Sequence, residues 1–331
     1  PIVSKPIKLL SFNGFHRTQQ ACSSISTRNG ISHDSEDIIR TLCNKGELDK
    51  AMDMLSVLHS SLHDNTYMAL LKACYQSKSI SHVKKLLSLI NIQDTSLSGL
   101  VGDYLVVTLA KCLALEDAWK VSHMLPRRTV FSWTALVSAY VTCGQAKEAL
   151  GMRKQMQLDG VEPNSYTLVS FIKACGILQD LQQGKELHEE ARRKGLASDV
   201  FVGSTLVSMY GKCGAITEAE IVFTSLCQRN IVSWNAMLAT YIEQGEGEKT
   251  LSLFRQMQED GVGMDRHTLL FSLQACMALA GDVKSIAMAK GQYMNMIREL
   301  AHALHADAKR LGFSADVFFG STLVSIYGKL G

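Results

Sequence analysis

The 331-residue chain has only four prolines. Proline breaks helix interiors, so little in this sequence interrupts long helices. No stretch approaches ~18 consecutive uncharged apolar residues, and no transmembrane helix is expected. None of the nine cysteines forms a C-x-x-C pair, and no Cys/His set has the spacing of a zinc site. The cysteines therefore read as reduced, half-buried thiols. There is no G-x-x-x-x-G-K-[ST] loop, G-x-S-x-G elbow, H-E-x-x-H pair or dinucleotide fingerprint. The expectation is a chain that is not an enzyme and holds no metal and no cofactor.

A strong charge of one sign is also missing, since the net charge is only +3. What charge asymmetry exists lies at the start. Residues 1–33 contain Lys5, Lys8, Arg17 and Arg28 and no acid. Without those 4, the remaining 30 basic residues face 31 acids, so the body carries about −1. Bulk attraction to phosphate is thus a poor route to nucleic acid for the body. The acid-free start is rich in Ser and Thr, a composition that fits an organelle transit peptide. Residues 1–31 are expected to be such a peptide or a disordered leader.

What the sequence does have is a repeat. Trp133 and Trp234 stand 101 residues apart, as do Tyr140 and Tyr241, Gly144 and Gly245, Met156 and Met257, and Gly160 and Gly261. Cys74, Cys175 and Cys276 step by the same 101 twice. Within residues 130–164, Trp133, Leu136, Val137 and Tyr140 fall at i, i+3, i+4 and i+7, one face of a helix. Gly144 supplies a stop. Ala146, Ala149, Leu150 and Met156 mark a second apolar face, and Gly160 and Pro163 close the unit. The unit is a helix–turn–helix of 35 residues, repeated at 231–265. A second 35-residue type at 165–199 carries F-I-K-A-C, with counterparts L-L-K-A-C at 70–74 and S-L-Q-A-C at 272–276. A third type, 31 residues at 200–230, contains G-S-T-L-V-S-M-Y-G-K-C-G, and 320–331 repeats ten of its twelve residues. Tetratricopeptide, ankyrin, and armadillo or HEAT repeats have about 34, 33 and 40–47 residues, and none alternates 35 with 31.

The strings S-W-N-A-M, K-A-C and L-V-S-M-Y-G-K-C-G, in that order and at those lengths, resemble plant pentatricopeptide repeat proteins of the P-L-S subclass. The resemblance covers 32–331: a degenerate repeat 32–63, then L 64–98, S 99–129, P 130–164, L 165–199, S 200–230, P 231–265, L 266–316 and a partial S from 317. It implies an all-α fold, a right-handed superhelical solenoid of stacked hairpins. Two departures stand out. From Cys276 to Asp316 is 40 residues, where Cys175 to Asp199 is 24, an insertion of 16 within roughly 284–303. The chain also stops at Gly331, where a first helix should turn into its second. A truncated array, ending before any E or DYW C-terminal domain, is the expectation.

The family reads one base per repeat with two or three side chains. The resemblance places that reading at the fifth and last residues of a repeat, with an apolar second residue wedging the base. Here the pairs are Asp103 with Thr129, Thr134 with Asn164, Ser204 with Asn230, and Asn235 with Asp265, followed by Ser321 in the partial repeat. The wedges are Phe131, Phe201, Val232 and Phe318. Hydroxyls and amides both donate and accept, as a base edge requires. By the family's code, hydroxyl with Asn implies adenine and Asn with Asp implies uracil, so the array implies A, an unspecified base, A, U. Met68, Val169 and Leu270 hold the fifth place in L repeats and are expected to be spacers. By helical phase, Trp133 and Trp234 belong to the core. The clusters Lys84–Lys85, Arg127–Arg128, Arg192–Arg193–Lys194 and Lys309–Arg310 read as solvated faces.

The implied partner is single-stranded organellar RNA, alongside RNA-editing partner proteins. A monomer without membrane contact is expected, in a mitochondrion or chloroplast, with the mitochondrion preferred. The implied role is a specificity factor for RNA processing such as C-to-U editing. Two other readings stay open: a protein-interaction scaffold, and a fragment of an editing deaminase lacking its catalytic domain. The C-x-x-C half of a deaminase zinc site is missing from this chain.

Overall fold

The computed structural model describes residues 30–58, 62–90, 99–282, 290–313 and 316–330. Among these residues there are seventeen helices and no strand. The leader expected over 1–31 lies, except for its last two residues, outside the described residues. The chain divides at Ala73 into two compact units. The first holds α1 (Gly30–Lys45), α2 (Leu48–Val57) and the start of α3 (Asp64–Ser77). α1 and α2 pack as a hairpin that buries Ile39, Ala51, Met52 and Leu55.

The second unit continues with α4 (Ile80–Leu89), α5 (Gly99–Lys111), α6 (Leu115–Met124), α7 (Val130–Thr142), α8 (Ala146–Leu158), α9 (Ser165–Leu178), α10 (Leu181–Arg193), α11 (Val200–Lys212) and α12 (Ile216–Ser225). It ends with α13 (Ile231–Glu243), α14 (Gly247–Glu259), α15 (Arg266–Asp282), α16 (Lys290–Arg310) and α17 (Val317–Leu330). From α5 onward each odd-numbered helix stacks on the next odd one, and each even-numbered helix from α6 packs on its own partner and on the next odd helix. The unit is an α-solenoid of hairpins.

The two layers differ in sequence for a physical reason. An odd helix has neighbours on both sides, so α7 buries Trp133, Ala135, Leu136, Val137 and Ala139 and is apolar nearly all round. An even helix is one-sided. α10 buries Gly184, Leu187 and Ala191 and exposes Lys185, Glu189 and Arg192. Long charged side chains bridge successive even helices: Lys84 to Asp117 at 3.2 Å, Arg153 to Glu190 at 2.8 Å, and Lys185 to Glu218 at 2.9 Å. The partly exposed pairs among these, Lys84 with Asp117 and Lys185 with Glu218, are each worth about 1 kcal/mol or less, so they set spacing more than stability. Apolar burial in the odd layer stabilises the array more, by about 25 cal/mol per Å².

Trp133 and Trp234 are fully buried, as their helical phase implies. Trp133 Nε1 donates to Asp159 at 3.1 Å, while Arg128 stacks on the ring at 4.9 Å and pairs with the same Asp159 at 2.7 Å. Trp234 meets Phe223 edge-on at 5.0 Å, with Arg229 over the ring at 5.8 Å. α7 stops where Gly144 adopts φ +79°, a conformation L side chains rarely take, and Gln145 N–H reaches back to the Tyr140 carbonyl at 2.9 Å.

The long repeat at 266–316 takes 11 of its extra residues, 3 and 8, into its two helices. α15 has 17 residues against 14 in α9, and α16 has 21 against 13 in α10. Part of the expected insertion, residues 283–289, lies outside the described residues. The downstream register is intact. His188 Nδ1 lies 2.9 Å from Tyr210 Oη, and His305 Nδ1 lies 3.1 Å from Tyr327 Oη, each pair 22 residues apart. The added length is therefore absorbed before His305, and α17 meets α16 as α11 meets α10.

Close approach of odd helices depends on one small residue. A Cβ on Gly211 of α11 would stand 2.1 Å from Thr240 Oγ1 and 2.9 Å from Thr240 Cβ on α13. One period earlier the same two positions hold Ala110 and Ala139. Gly211→Ala is expected to cost about 1–3 kcal/mol by overpacking, despite its better helix propensity. Adding Thr240→Ala should restore most of the loss. Urea unfolding of the two single variants and the double variant measures that coupling.

Candidate nucleic-acid interface

Each odd helix must satisfy the free N–H groups of its first turn. The acceptor is in most cases the last residue of the preceding hairpin. Thr129 Oγ1 accepts from Phe131 N–H at 3.3 Å, and Asn164 Oδ1 from Thr167 N–H at 2.9 Å. Asn230 Oδ1 accepts from the Val232 and Ser233 N–H groups, both at 3.0 Å. Asp265 Oδ1 accepts from His267 at 2.9 Å and Thr268 at 3.0 Å. Asp199 and Asp316 do the same for α11 and α17. Ser, Thr, Asn and Asp are the residues that cap helices well. The polar character at the end of each repeat thus has a structural cause, independent of any ligand. Asp199 makes the point, because the fifth residue of its own repeat is Val169.

The fifth residues lie one turn into the odd helices, beside the cap of the next hairpin. Asn235 Nδ2 donates to Asp265 Oδ1 at 2.9 Å. Thr134 does not touch Asn164 directly. Its Oγ1 sits 2.7 Å from Thr167 Oγ1, which in turn donates to Asn164 Oδ1 at 2.9 Å. Thr134 Oγ1 also lies 2.6 Å from the Val130 carbonyl. Ser204 and Asn230 share no hydrogen bond, and Ser204 Oγ donates to the Val200 carbonyl at 2.6 Å. Asp103, Thr134 and Ser204 are buried, Asn235 and Asp265 half-buried, and Asn230 and Ser321 exposed. Of the expected reading residues, Asp103, Thr134, Ser204, Asn235 and Asp265 therefore sit in the seam between hairpins, while Asn230 and Ser321 are solvated.

Asp103 is the most strained of these electrostatically. Burial pushes its carboxyl up, against hydrogen bonding from Thr129 and Ser132 that acts the other way, and its Oδ1 has no partner within bonding distance. Of the expected wedge residues, Phe201, Val232 and Phe318 stand exposed, at 70%, 54% and 58%, and Phe131 is half-buried. Exposed apolar side chains beside a polar seam suit the flat face of a base.

One pair escaped the sequence reading. Fifth and last in 32–63 are Glu36 and His63, and His63 Nδ1 lies 2.9 Å from Glu36 Oε1. Thr66 Oγ1 donates to Glu36 Oε2 at 2.5 Å. Burial works to raise the Glu36 carboxyl, but the bonds from Thr66 and His63 outweigh it and hold it below its ordinary value. Counting five residues into the degenerate repeat would have found this pair.

The basic clusters are largely engaged within the protein. Arg128 pairs with Asp159, Lys84 with Asp117, Arg310 with Asp307, and Lys194 with Glu162. His188 faces Tyr210, and among the described residues no group of His, Cys, Asp or Glu is placed to hold a metal ion. Burial pushes the Cys175 and Cys276 thiols up to about 12, which leaves them unreactive packing groups.

Residues 128–176 and 229–277 match the family described as the PPR repeat family. These repeats are pentatricopeptide repeats. The chloroplastic pentatricopeptide repeat-containing protein At1g15510 of Arabidopsis thaliana is 30% identical over 321 residues, 96% of this chain and 35% of its own length. The mitochondrial protein At3g09040 of the same plant is 34% identical over 242 residues, 72% of this chain and 23% of its own length. The chain thus spans about a third of the first relative and about a quarter of the second. Pentatricopeptide repeat protein PPR10, crystallised with an 18-nucleotide psaJ RNA element, matches with a TM-score of 0.57 at 14% identity, over 91% of this chain and 53% of that one. At that identity the likeness is one of fold.

The buried Asp103 predicts a pH effect on this pentatricopeptide array. Its folded-state carboxyl titrates above the unfolded one, so the folded chain holds the proton longer. Stability from this group is then lost as pH rises out of the carboxylate range. Asp103→Asn removes the effect. Thermal unfolding of both proteins at pH 4.5 and 7.5 should show the variant gaining on the wild type at the higher pH; an equal gap at both values would refute the assignment.

Proposed function

We propose that the chain binds single-stranded RNA base by base, through the fifth and last residues of its P-type and S-type repeats, in a chloroplast or mitochondrion. The observation that carries the reading is the recurrent seam. In the P-type and S-type hairpins a polar fifth residue lies buried or half-buried in this seam. It is bonded to the next cap directly at Asn235 and through Thr167 at Thr134. The apolar second residue is exposed at Phe201 and Val232 and half-buried at Phe131. This arrangement recurs where the fifth residue is polar and is absent where it is Val169 or Leu270. Apolar side chains offer no donor or acceptor to a base edge, so the repeats at 165–199 and 266–316 act as spacers.

The order along the chain is that of the P-L-S subclass, and the family's code gives A from Thr134 with Asn164, an unspecified base, A from Ser204 with Asn230, and U from Asn235 with Asp265. Asn235 fits uracil on chemical grounds as well. With one amide hydrogen on Asp265, it keeps one donor and one lone pair for an edge that alternates acceptor and donor. Because the body carries about −1, affinity must come from aligned local contacts more than from bulk charge. Relatives named chloroplastic and mitochondrial support an organelle. Within it, the chain acts as a specificity factor for RNA processing such as C-to-U editing, with the editing chemistry supplied by other proteins.

Filter binding on a pool of short RNAs is expected to enrich A-N-A-U, and failure of the intact chain to retain any RNA would sink the proposal. The double change Asn235→Thr with Asp265→Asn should move the preference at one position from U to A, by about tenfold, and leave the other positions unchanged. Asn caps as well as Asp, so the start of α15 is expected to survive the swap.

A further inference from the structure

The third residue of each odd helix follows a rule that its own hairpin does not explain. After the polar fifth residues Glu36, Asp103, Thr134, Ser204 and Asn235, the next hairpin has a hydroxyl at its third residue: Thr66, Ser132, Thr167, Ser233 and Thr268. After the apolar Met68, Val169 and Leu270, the corresponding residues are Val101, Val202 and Phe319. All five hydroxyl residues are fully buried. Helix propensity gives no reason for the alternation, since Val and Thr differ little in a helix.

The contacts supply the reason. Thr66 donates to Glu36 at 2.5 Å, Thr167 Oγ1 lies 2.7 Å from Thr134 Oγ1, and Thr268 Oγ1 lies 2.8 Å from Asn235 Oδ1. Ser132 instead keeps its hydroxyl on the Thr129 carbonyl at 3.0 Å. Ser233 likewise keeps its hydroxyl on the Asn230 carbonyl, at 2.8 Å, so the contact to the preceding fifth residue is made by the three threonines. The hydroxyls also reach the caps: Thr167 donates to Asn164 Oδ1 at 2.9 Å, and Thr268 lies 3.1 Å from Asp265 Oδ1. In 130–164 the Thr167 hydroxyl is the link between the two members of the pair.

We infer that the buried hydroxyl at the third residue of the following hairpin, above all Thr167 and Thr268, is a positioning residue that orients the base-reading pair of the hairpin before it. The chemistry at Asn235 shows how. The Asp265 carboxylate can only accept, so the Asn235 amide must turn its NH2 toward it. Its Oδ1 then faces Thr268, whose hydroxyl can donate. Two fixed bonds leave the amide one orientation, with one hydrogen and one lone pair free for a ligand. Without the hydroxyl, Oδ1 is left against a buried apolar surface and the amide loses its second tether. One repeat's specificity therefore depends on a side chain of the next.

This inference rests on the base-reading proposal, and its test separates the two. Thr167→Val and Thr268→Val keep shape and remove the hydroxyl, while Thr167→Ser and Thr268→Ser retain it. In the RNA-free protein, the side-chain amide signals of Asn235 in a 15N–1H spectrum are expected to shift and broaden in Thr268→Val and to stay near wild type in Thr268→Ser. Unchanged Asn235 signals in Thr268→Val overturn the inference, whatever RNA does. With short RNAs that vary one base at a time, Thr268→Val should lower the preference for U opposite 231–265 about five- to tenfold. Thr167→Val should do the same for A opposite 130–164. Each is expected to leave the other position unaltered and to be rescued by Ser. Equal loss of affinity for all four bases, together with a lowered melting temperature, would make the hydroxyl purely structural and overturn the inference. A wild-type chain that retains no RNA overturns base reading and with it the specificity role, while the amide spectra still report whether the tether exists.

Discussion

A helix cannot begin without acceptors for its first N–H groups, and in this array most of those acceptors come from the preceding hairpin. Thr129, Asn164, Asp199, Asn230, Asp265 and Asp316 each close one hairpin by sequence and start the next by hydrogen bonding. The joint between repeats is thus chemical as well as steric. It brings the end of one unit to the first turn of another, which is where a fifth residue already stands. The proposed reading seam follows from how helices are started; no separate loop or pocket has to be built for it.

The layers around the seam divide the work. Odd helices pack densely enough that Gly211 faces Thr240 with no room for a methyl group, and Trp133 and Trp234 fill the interior. Even helices are spaced by flexible ion pairs such as Lys185 with Glu218. The polar pairs lie in the densely packed inner layer, and charged side chains tie the outer one. In the repeat at 266–316, α15 is longer than α9 by 3 residues and α16 longer than α10 by 8, yet His305 still meets Tyr327.

Much of this was legible in the sequence. A period of 101 residues located the repeats, and the i, i+3, i+4, i+7 stripe of Trp133, Leu136, Val137 and Tyr140 gave the helices and the burial of the tryptophan. Other features had no sequence signal of that kind. Glu36 and His63 stand in a repeat that lacks both the Trp and the K-A-C string, so periodicity does not point to them. The roles of Thr167 and Thr268 depend on which way a buried hydroxyl turns, and residue type alone does not encode that. The polarity of the last residues was visible, but capping calls for Asn, Asp, Ser or Thr whether or not a base is read. It is the fifth residue of the same repeat, Val169 against Asn235, that separates Asp199 from Asp265. The basic clusters are mostly exposed, as expected of solvated faces, while Arg128 and Lys194 are half-buried and tied to acids of neighbouring segments.

The double duty of the cap has a consequence for how such an array can change. A residue that caps a helix well is drawn from a short alphabet, and a substitution outside it costs about 1 kcal/mol. Whatever that position contributes to recognition is therefore written in about four letters. The fifth residue is under no such constraint, as Glu36, Asp103, Met68 and Val169 show. New specificities along this array should arise first at the fifth position, with the last position as a conservative partner, exchanging one capping side chain for another and seldom leaving the set.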